Sequence, residues 1–461
     1  MPRHPNIVLV QSDDHGAWAA GFDGLPEIRT PVLDWLAATG VWMRRAYTPC
    51  PVCSPARACL WTGLMPSQTG VHDWLVEGVP PFVPRSWVED QITLPEILRA
   101  AGYATLFSGK WHVGGSESPR AGFDRWFSIV PPQGDHFGAH RYCDQGTIAE
   151  QAGYKTEIVF DRAVEMLRDP DTRAPFFLYV GPIGTHGPWR GHPERLVGPY
   201  REATFRGIPT LPPHRWLIPQ FAGHQGNREF LAQYFASVTH IDEQIGRILD
   251  RLDSIGARED TLVIYTSDHG LNCGQSGIWG KGNGTEPKNM NEGSIRVPLV
   301  FNHPAGLAAG RAIDRIADHC DLFRTILDYA DVPLPDNPRM EKLVGRSYAP
   351  MLRGEAQEWD DVFYGEYGPV RAIRTDRWKY VHRYVHPPVE GPPHELFDLA
   401  ADPDEQRNLV ADPAHAAVRD ELRGRMETWF AAVDVEGRSG LVQPHDSGGQ
   451  IRPQWDWAAR V

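Results

Sequence analysis

Cys53 lies in a short segment whose residue types would hold a negatively charged group. Ser54 followed by Pro55 predicts the start of a helix, with Ser54 as the N-cap and Pro55 in the first turn, where a missing N–H group costs nothing. Cys53 would then precede the helix N-terminus, at the positive end of the helix dipole and beside unpaired backbone N–H groups. Arg57 follows about one turn later, and Gly63 is expected to end the helix. The thiol is therefore a candidate reactive group next to an anion-binding position.

Three interpretations of Cys53 remain open from this segment alone. A buried free thiol that packs as a small apolar group is the usual fate of a cysteine. Cys50 and Cys53 also form a C-x-x-C pair, which is typical of a zinc or redox site, although the sequence has no second such pair and no C-x-x-C…H-x-x-x-H partner. The third interpretation, a catalytic group made from the cysteine, depends on the rest of the chain.

Four predicted buried strands each end in polar residues. The strands are 6–10, 103–107, 175–180 and 261–265, and the groups that follow them are Asp13, Asp14, Lys110, His112, Thr185, His186, Asp268 and His269. In open α/β sheets, ligands bind beyond the carboxyl ends of the strands, so the two adjacent aspartates are a candidate cation site. The polar residues after any one strand would also be typical of a solvated turn or of the protein surface. Together they place acids, imidazoles and lysines at one edge of one sheet.

These patterns predict an α/β fold with a large, mainly parallel sheet sandwiched by helices. An amphipathic pattern over 230–252 indicates a long helix on this sheet. Beyond a linker-like segment, short alternating strands at 362–367, 370–374 and 378–381 and a helix at 413–433 predict a smaller C-terminal α+β subdomain with an antiparallel sheet. The expected units are a catalytic domain over 1–350, the subdomain over 351–436 and a tail over 437–461, which would cover the site or a subunit interface.

The composition limits the classes of partner. The chain has 461 residues, a net charge of −13 and no run of Lys and Arg, which makes nucleic-acid binding an unfavourable expectation. No stretch of about 18 apolar residues indicates a membrane span, and the N-terminus passes directly into the first strand without room for a signal peptide. The six cysteines are scattered and form no disulfide framework. We therefore expect a protein of the reducing cytoplasm.

The segment Cys53-Ser54-Pro55-Ala56-Arg57, continued by Leu60, Thr62 and Gly63, resembles the C-x-P-x-R…T-G signature of type I sulfatases of the alkaline phosphatase superfamily. In that family, a dedicated formylglycine-generating enzyme oxidises the cysteine to Cα-formylglycine. Ala56 stands where many relatives have serine. The resemblance covers nearly the whole chain, because further matches are Asp13-Asp14, Gly109-Lys110-Trp111-His112, residues 266–270, Arg296-Val297-Pro298-Leu299 and the phrase over 395–409.

The resemblance implies a metal site and a set of catalytic residues. Residue 53 would hold one divalent cation, usually calcium, together with Asp13, Asp14, Asp268 and His269. A histidine ligand is softer than an amide oxygen, so magnesium or manganese also remain open. The catalytic residues implied are Cys53 as formylglycine, Arg57, Lys110 and Lys281 against the sulfate oxygens, His186 as proton donor to the leaving alcohol, and His112 in the release of sulfate.

The function implied is hydrolysis of a small organic sulfate ester. Aromatic and polar loops over 66–74, 111–142 and 185–226 suit a mono- or oligosaccharide sulfate, although tryptophans also fill large cores. Two other kinds of hydrolase on the same scaffold are alternatives: an arylsulfatase, and a phosphonate monoester or phosphodiester hydrolase. A binder of anions or glycans with unmodified Cys53 and a thiol-redox protein are alternatives of other classes. Assembly into a homo-oligomer remains open.

Overall fold

The chain is built around one large mixed sheet. The computed structural model describes residues 4–78, 85–131, 134–168, 175–442 and 449–450. Its strands are β1 (Asn6–Ser12), β2 (Val41–Tyr47), β3 (Ala104–Gly109), β4 (Arg125–Ile129), β5 (Phe137–Asp144), β6 (Thr147–Tyr154), β7 (Phe176–Gly181), β8 (Thr261–Ser267), β9 (Asn272–Cys273), β10 (Trp279–Gly280), β11 (Arg296–Val297), β12 (Leu299–Asn302), β13 (Arg311–Asp318), β14 (Phe363–Tyr367), β15 (Val370–Arg374), β16 (Trp378–Arg383) and β17 (Glu395–Asp398).

Helices cover both faces of this sheet and flank the smaller one. They are α1 (Pro31–Thr39), α2 (Cys53–Thr62), α3 (Pro66–Thr69), α4 (Leu94–Ala100), α5 (Lys155–Met166), α6 (Glu194–Arg201), α7 (Arg228–Ser254), α8 (Glu292–Ile295), α9 (His319–Tyr329), α10 (Ala349–Arg353) and α11 (Ala416–Val433). Among the described residues, no helix is both long and apolar enough to cross a membrane.

The centre of the large sheet is parallel, and antiparallel pairs lie on both sides of it, with one further parallel pair between β13 and β2. The order is β11-β2-β12-β8-β1-β7-β3-β4-β5-β6, with β13 also paired to β2. The central strands β8, β1, β7, β3 and β4 run parallel to one another, whereas β12 and the β5–β6 hairpin pair in the antiparallel direction. The predicted α/β class with a mainly parallel sheet is confirmed. The hairpin and the strands at the other edge were not predicted from the sequence.

Alternation of side chains along β1 divides the core into two layers. Ile7 and Leu9 point to the layer that contains α2, α4 and α9, whereas Val8 and Val10 point to the layer under α1, α5 and α7. All four side chains have no exposed surface, which explains why β1 is a continuous apolar run. The fold is therefore a sheet enclosed by helices, with its polar strand ends free to build a site.

The C-terminal part forms a separate four-stranded antiparallel sheet. Its order is β14-β15-β16-β17, and α11 packs against β15 and β16. The predicted antiparallel sheet is confirmed, although the segment expected to be a linker contains the short helix α10. The exact domain boundaries stay a prediction. Much of the predicted tail, residues 443–448 and 451–461, lies outside the described residues.

A buried carboxylate joins α7 to the start of α1 and predicts a pH-dependent stability. Asp242 accepts hydrogen bonds from the backbone N–H groups of Val32 and Leu33, at 3.1 and 2.7 Å. Burial outweighs these bonds and raises the pKa of Asp242 to about 7. Because the folded state then holds a proton more tightly than the unfolded state, this contribution to stability is full below about pH 4 and is lost as the pH rises through about 7.

We expect Asp242→Asn to flatten the pH dependence of stability. In the parent protein, the free energy of unfolding from urea titration should fall between about pH 5 and about pH 8 by more than in the variant. The neutral amide has no proton to lose, and its oxygen still accepts one of the two N–H groups. Identical pH slopes for the two proteins would contradict the assignment.

Candidate active site

The predicted polar strand ends do meet at one edge of the sheet. Strands β1 and β8 are neighbours in parallel register, with Ser12 opposite Ser267. The residues directly after them, Asp13 and Asp268, therefore lie side by side, and the backbone N–H of Asp268 donates to the carbonyl of Ser12 at 3.0 Å. Thr185, after β7, donates its hydroxyl to the carbonyls of Asp13 and Asp14 at 2.9 and 2.8 Å. Three parallel strands thus fix the geometry of the acidic pair.

Helix α2 delivers Cys53 to this edge, although it begins differently from the prediction. The helix starts at Cys53, with Val52 as its N-cap, and Gly63 ends it in the left-handed conformation as expected. Ser54 is not the cap, because its hydroxyl accepts the backbone N–H of Leu75 at 2.9 Å instead. Cys53 is therefore the first residue of the helix and remains in the field of its N-terminus.

The thiol of Cys53 lies among the predicted ligands. Its Sγ is 3.2 Å from Lys281 Nζ, 3.4 Å from His269 Nε2 and 3.6 Å from Asp13 Oδ1. Burial alone would raise the pKa of this thiol, but Lys110, Lys281 and His269 lower it well below its usual range. The position at the head of α2 therefore favours a negatively charged group.

Four of the five predicted metal ligands form one compact group. One donor atom each from Asp13, Asp14, Cys53 and His269 lies within 4.8 Å of the others, and all four residues are buried. His269 Nδ1 lies 3.0 Å from the carbonyl of Gly270, to which it donates, and this leaves Nε2 as the ligating nitrogen. Carboxylate oxygens with one imidazole suit a divalent cation such as calcium, magnesium or manganese. The residues present fit such an ion.

The fifth predicted ligand, Asp268, borders this group. Its Oδ1 is 3.4 Å from His269 Nε2 and accepts the backbone N–H of Asp14 at 3.3 Å. Its Oδ2 pairs with Arg57 Nη2 at 2.9 Å. Burial raises the pKa of Asp268, and the neighbouring Asp13 raises it further. Asp268 is therefore held next to the ligand group by a guanidinium.

Arg57 is wholly buried and directed at the carboxylates. Its Nη2 pairs with Asp13 Oδ2 at 3.2 Å and with Asp268 Oδ2, and its Nε also donates to Asp268 Oδ2, at 3.1 Å. Its Nη1 donates to the Tyr179 hydroxyl at 2.9 Å and to the carbonyl of Lys110 at 3.1 Å. All of its nitrogen atoms thus have protein partners, and Arg57 compensates the buried acids from below.

Two lysines reach the site from different segments. Lys110 Nζ, after β3, forms an ion pair with Asp13 Oδ2, and Lys281 Nζ pairs with Asp14 Oδ1 at 2.7 Å. Burial and Cys53 would both raise the pKa of Asp13, but Lys110, His186 and Arg57 lower it below the usual aspartate range. Asp13 therefore remains charged although it is fully buried.

Two predicted histidines flank Cys53 at the floor of a cavity. His112 Nε2 lies 3.0 Å from the carbonyl of Leu75, to which it donates, and this leaves Nδ1 for a partner at the site. His186 Nδ1 lies 2.7 Å from the carbonyl of Gly187, which leaves Nε2 for other partners. Each ring therefore has one nitrogen held by the backbone and one available at the site.

The cavity above Cys53 has a volume of about 340 Å³ and largely apolar walls. Its floor contains Asp14, Cys53, His112, His186 and Lys281, all predicted from the sequence. Its walls are Val52, Trp74, Gly187, Trp189, Phe221, Leu271, Gly280 and Asn283. The aromatic loops had indicated Trp74 and Trp189, whereas no pattern in the sequence singled out Phe221, Leu271 or Asn283. Wall residues come from irregular loops, where no periodicity marks the buried face.

The C-terminal sheet supports the segment that carries Lys281. Lys379 and Arg383, four residues apart on β16, donate to the carbonyls of Met290 and Lys288 at 2.8 and 3.1 Å. Between these two carbonyls, Asn289 Nδ2 donates to the carbonyl of Lys281 at 2.9 Å. Lys379 and Arg383 are buried, so this support is enclosed. The small sheet therefore takes part in building the site.

Comparison with known proteins identifies the class that this fold and site define. The family model named Sulfatase matches residues 5–332, and the one named N-sulphoglucosamine sulphohydrolase, C-terminal, matches residues 285–431. The first covers well over half of the chain, and the chain therefore belongs to the sulfatase family. It is a sulfuric ester hydrolase of the alkaline phosphatase-like superfamily, as the sequence predicted.

Individual relatives share most of the chain at low identity. An N-acetylglucosamine-6-O-sulfatase of Bacteroides thetaiotaomicron is 26% identical over 92% of this chain and 86% of its own. An ulvan-active sulfatase of Formosa agariphila is 27% identical over 95% of this chain and 83% of its own. A solved structure in complex with its substrate D-glucosamine-2-N,6-O-disulfate superposes with a TM-score of 0.78 at 24% identity, over 94% of this chain and 98% of that chain.

Removal of Arg57 tests its role as the compensating charge. We expect Arg57→Met to lower the free energy of unfolding by about 3–5 kcal/mol, because Asp13 and Asp268 would remain buried without their partner. Urea titration measures the change. The control is Arg423→Met, which removes an exposed pair with Glu427 at 2.8 Å and should have little effect. Equal, small changes in both variants would contradict the assignment.

Proposed function

We propose that this sulfatase hydrolyses a carbohydrate sulfate ester through a formylglycine made from Cys53 by a formylglycine-generating enzyme. The observation that carries the proposal is the position of Cys53 Sγ at the floor of the cavity, 3.2 Å from Lys281 Nζ and 3.4 Å from His269 Nε2. A nucleophile at residue 53 would thus meet its substrate beside a cation and a candidate metal ligand. We also propose a cytoplasmic setting, since all six cysteines are buried free thiols.

The charges of the site support one divalent cation, for which we propose calcium, with magnesium or manganese as alternatives. Three carboxylates, Asp13, Asp14 and Asp268, face three permanent cations, Arg57, Lys110 and Lys281. Conversion of Cys53 to an aldehyde removes the negative charge of the thiolate. The three carboxylates and the three cations then have no net charge. A bound divalent cation then supplies the net positive charge that favours a sulfate ester and a deprotonated hydroxyl of the hydrated aldehyde.

The side chains around residue 53 have complementary roles. Lys110 and Lys281 hold sulfate oxygens, and Arg57 keeps the carboxylates in place beneath them. In its doubly protonated form His186 would donate the Nε2 proton to the leaving alcohol and keep the Nδ1 proton, which is held by the carbonyl of Gly187. His112 accepts a proton at Nδ1 from the hydroxyl at residue 53, since its Nε2–H is directed at Leu75. With sulfate on the other oxygen of the hydrated aldehyde, loss of this proton would allow the carbon–oxygen bond to sulfate to break, so that sulfate leaves as the aldehyde re-forms.

A carbohydrate substrate is supported by the cavity walls and by the relatives. Trp74 and Trp189 offer flat apolar faces to a sugar ring, and Asn283 offers an amide to its hydroxyl groups. The N-acetylglucosamine-6-O-sulfatase and the ulvan-active sulfatase are relatives over most of the chain. Because the same walls are mainly apolar and aromatic, an aryl sulfate is the second candidate substrate.

The state of residue 53 tests the proposed nucleophile. Protein co-produced with a formylglycine-generating enzyme should yield a tryptic peptide over residues 46–57 that is roughly 18 Da lighter than its thiol form. Fragment ions should place the change at Cys53, and an aldehyde-reactive probe should label the same peptide. Cys50→Ala is the matched control, because it removes the other cysteine of that peptide and should keep the modification. An unmodified Cys53 would contradict the mechanism.

The group that is transferred, sulfuryl or phosphoryl, distinguishes this proposal from a phosphonate monoester or phosphodiester hydrolase on the same scaffold. We expect kcat/KM for an aryl sulfate to exceed that for the matching aryl phosphonate monoester and for an aryl phosphodiester, in protein whose residue 53 is converted. Each ester is a monoanion with the same leaving group, so the comparison isolates the central atom. Faster turnover of either phosphorus ester would favour the alternative activity.

A further inference from the structure

A segment near the C-terminus is hydrogen-bonded to the loop that forms one wall of the cavity. Gln450 is only 9% exposed and contacts the loop over residues 70–76 through both its backbone and its side chain. Its backbone N–H donates to the carbonyl of Trp74 at 2.8 Å, and its carbonyl accepts the N–H of Val76 at 3.1 Å. These two bonds form a short parallel bridge centred on Leu75.

The side chain of Gln450 adds three more hydrogen bonds to the same loop. Its Oε1 accepts the backbone N–H groups of His72 and Asp73 at 2.9 and 3.3 Å, and its Nε2 donates to the carbonyl of Gly70 at 3.1 Å. One residue thus satisfies backbone groups at five positions of a loop that is more than 370 residues away in sequence. A buried loop without such partners would leave polar groups unsatisfied.

Gly449 brings the backbone of the same segment against the indole of Trp74. A Cβ atom added at Gly449 would lie 2.6 Å from Trp74 Cε2 and 2.8 Å from the Trp74 carbonyl oxygen. Its φ of +85° is also a conformation that favours glycine. The close approach leaves the indole no space on this side.

The opposite side of the loop is held by β14 of the C-terminal sheet and by the first turn of α2. The N–H of Trp74 donates to Asp73 Oδ1 at 2.8 Å, and the Tyr367 hydroxyl donates to the same oxygen at 2.6 Å. The N–H of Leu75 donates to Ser54, next to the nucleophile. Trp74 is thus enclosed between the core of the site and Gly449-Gln450, with its remaining face on the cavity.

We infer that Gly449 and Gln450 clasp Trp74 and thereby fix the wall against which the ring of the substrate's leaving group packs. The segment is a positioning element that selects ring-bearing sulfate esters, whether sugar or aryl, and it touches neither the sulfate nor the nucleophile. This inference rests on the proposed function, in which Trp74 contacts the leaving group. It gives the C-terminal tail a role in substrate recognition.

The test separates binding of the leaving group from binding of sulfate. We compare three variants in protein whose residue 53 is converted to formylglycine: Trp74→Ala, Gln450→Met and the combination of the two. For each, KM for methylumbelliferyl sulfate and the inhibition constant of inorganic sulfate are measured. Gln450→Met keeps the size of the side chain and removes its polar groups. Gly449→Ala also displaces the indole, because its Cβ atom would collide with the Trp74 ring. This variant replaces Gln450→Met if that protein fails to fold. Gln357→Ala, whose amide donates to the carbonyl of Ser347 at 2.8 Å away from the site, is the control.

We expect Trp74→Ala to raise KM by up to about tenfold, which is the range of one lost aromatic contact. Gln450→Met and Gly449→Ala should raise KM in the same direction, leave the inhibition constant of sulfate unchanged and add nothing in the Trp74→Ala background. The control should match the parent protein.

Two results would overturn the inference. The first is that Trp74→Ala raises KM while Gln450→Met and Gly449→Ala keep the KM of the parent protein. Trp74 would then contact the leaving group, but Gly449 and Gln450 would not position it. If the clasp variants raise KM and the sulfate inhibition constant together, or still raise KM in the Trp74→Ala background, they loosen the whole site. An unchanged KM for Trp74→Ala would instead reject the proposed contact with the leaving group, and with it the inference.

Discussion

Mutual repulsion among three buried carboxylates is the constraint on which the rest of this structure depends. Asp13, Asp14 and Asp268 lie at the ends of adjacent parallel strands and have almost no exposed surface. Burial of such charges is unfavourable unless partners with good geometry surround them. Arg57 bridges two of them from below, Lys110 pairs with Asp13, and Lys281 pairs with Asp14 at the cavity. The parallel sheet brings the acids together, and the remaining elements supply the opposite charges.

Supplying those charges requires parts of the chain that are distant in sequence. Arg57 is on the helix that also carries Cys53, so one element provides both the thiol at the cavity and the compensating guanidinium. Lys281 belongs to an irregular segment whose backbone is held by Lys379 and Arg383 of the small sheet. A cation of the site therefore depends on two further buried cations in another sheet. The C-terminal unit contributes to the enzyme because it fixes this segment.

The central parallel strands and their polar ends could be predicted from the sequence, whereas the edge strands of the sheet and the walls of the cavity could not. Buried parallel strands appear as continuous apolar runs, so Asp13 and Asp268 could be placed at one sheet edge. The prediction that Ser54 caps the helix was wrong, because the Ser54 hydroxyl accepts the backbone N–H of Leu75 instead. Phe221 and Gln450 likewise act through contacts between distant irregular segments. Such contacts leave no periodic pattern, and a single sequence does not mark them.

The same ion pairs that stabilise the site also prepare it for an anion. Arg57 has all its nitrogens on protein partners, so its charge is directed at Asp13 and Asp268. Lys281 instead divides its ammonium between Asp14 and residue 53, at the cavity floor. An ammonium has three donors on a flexible stem and can turn toward a sulfate oxygen without leaving its carboxylate. Arg57 therefore stabilises the buried acids, whereas Lys281 is placed to bind an anion in the cavity.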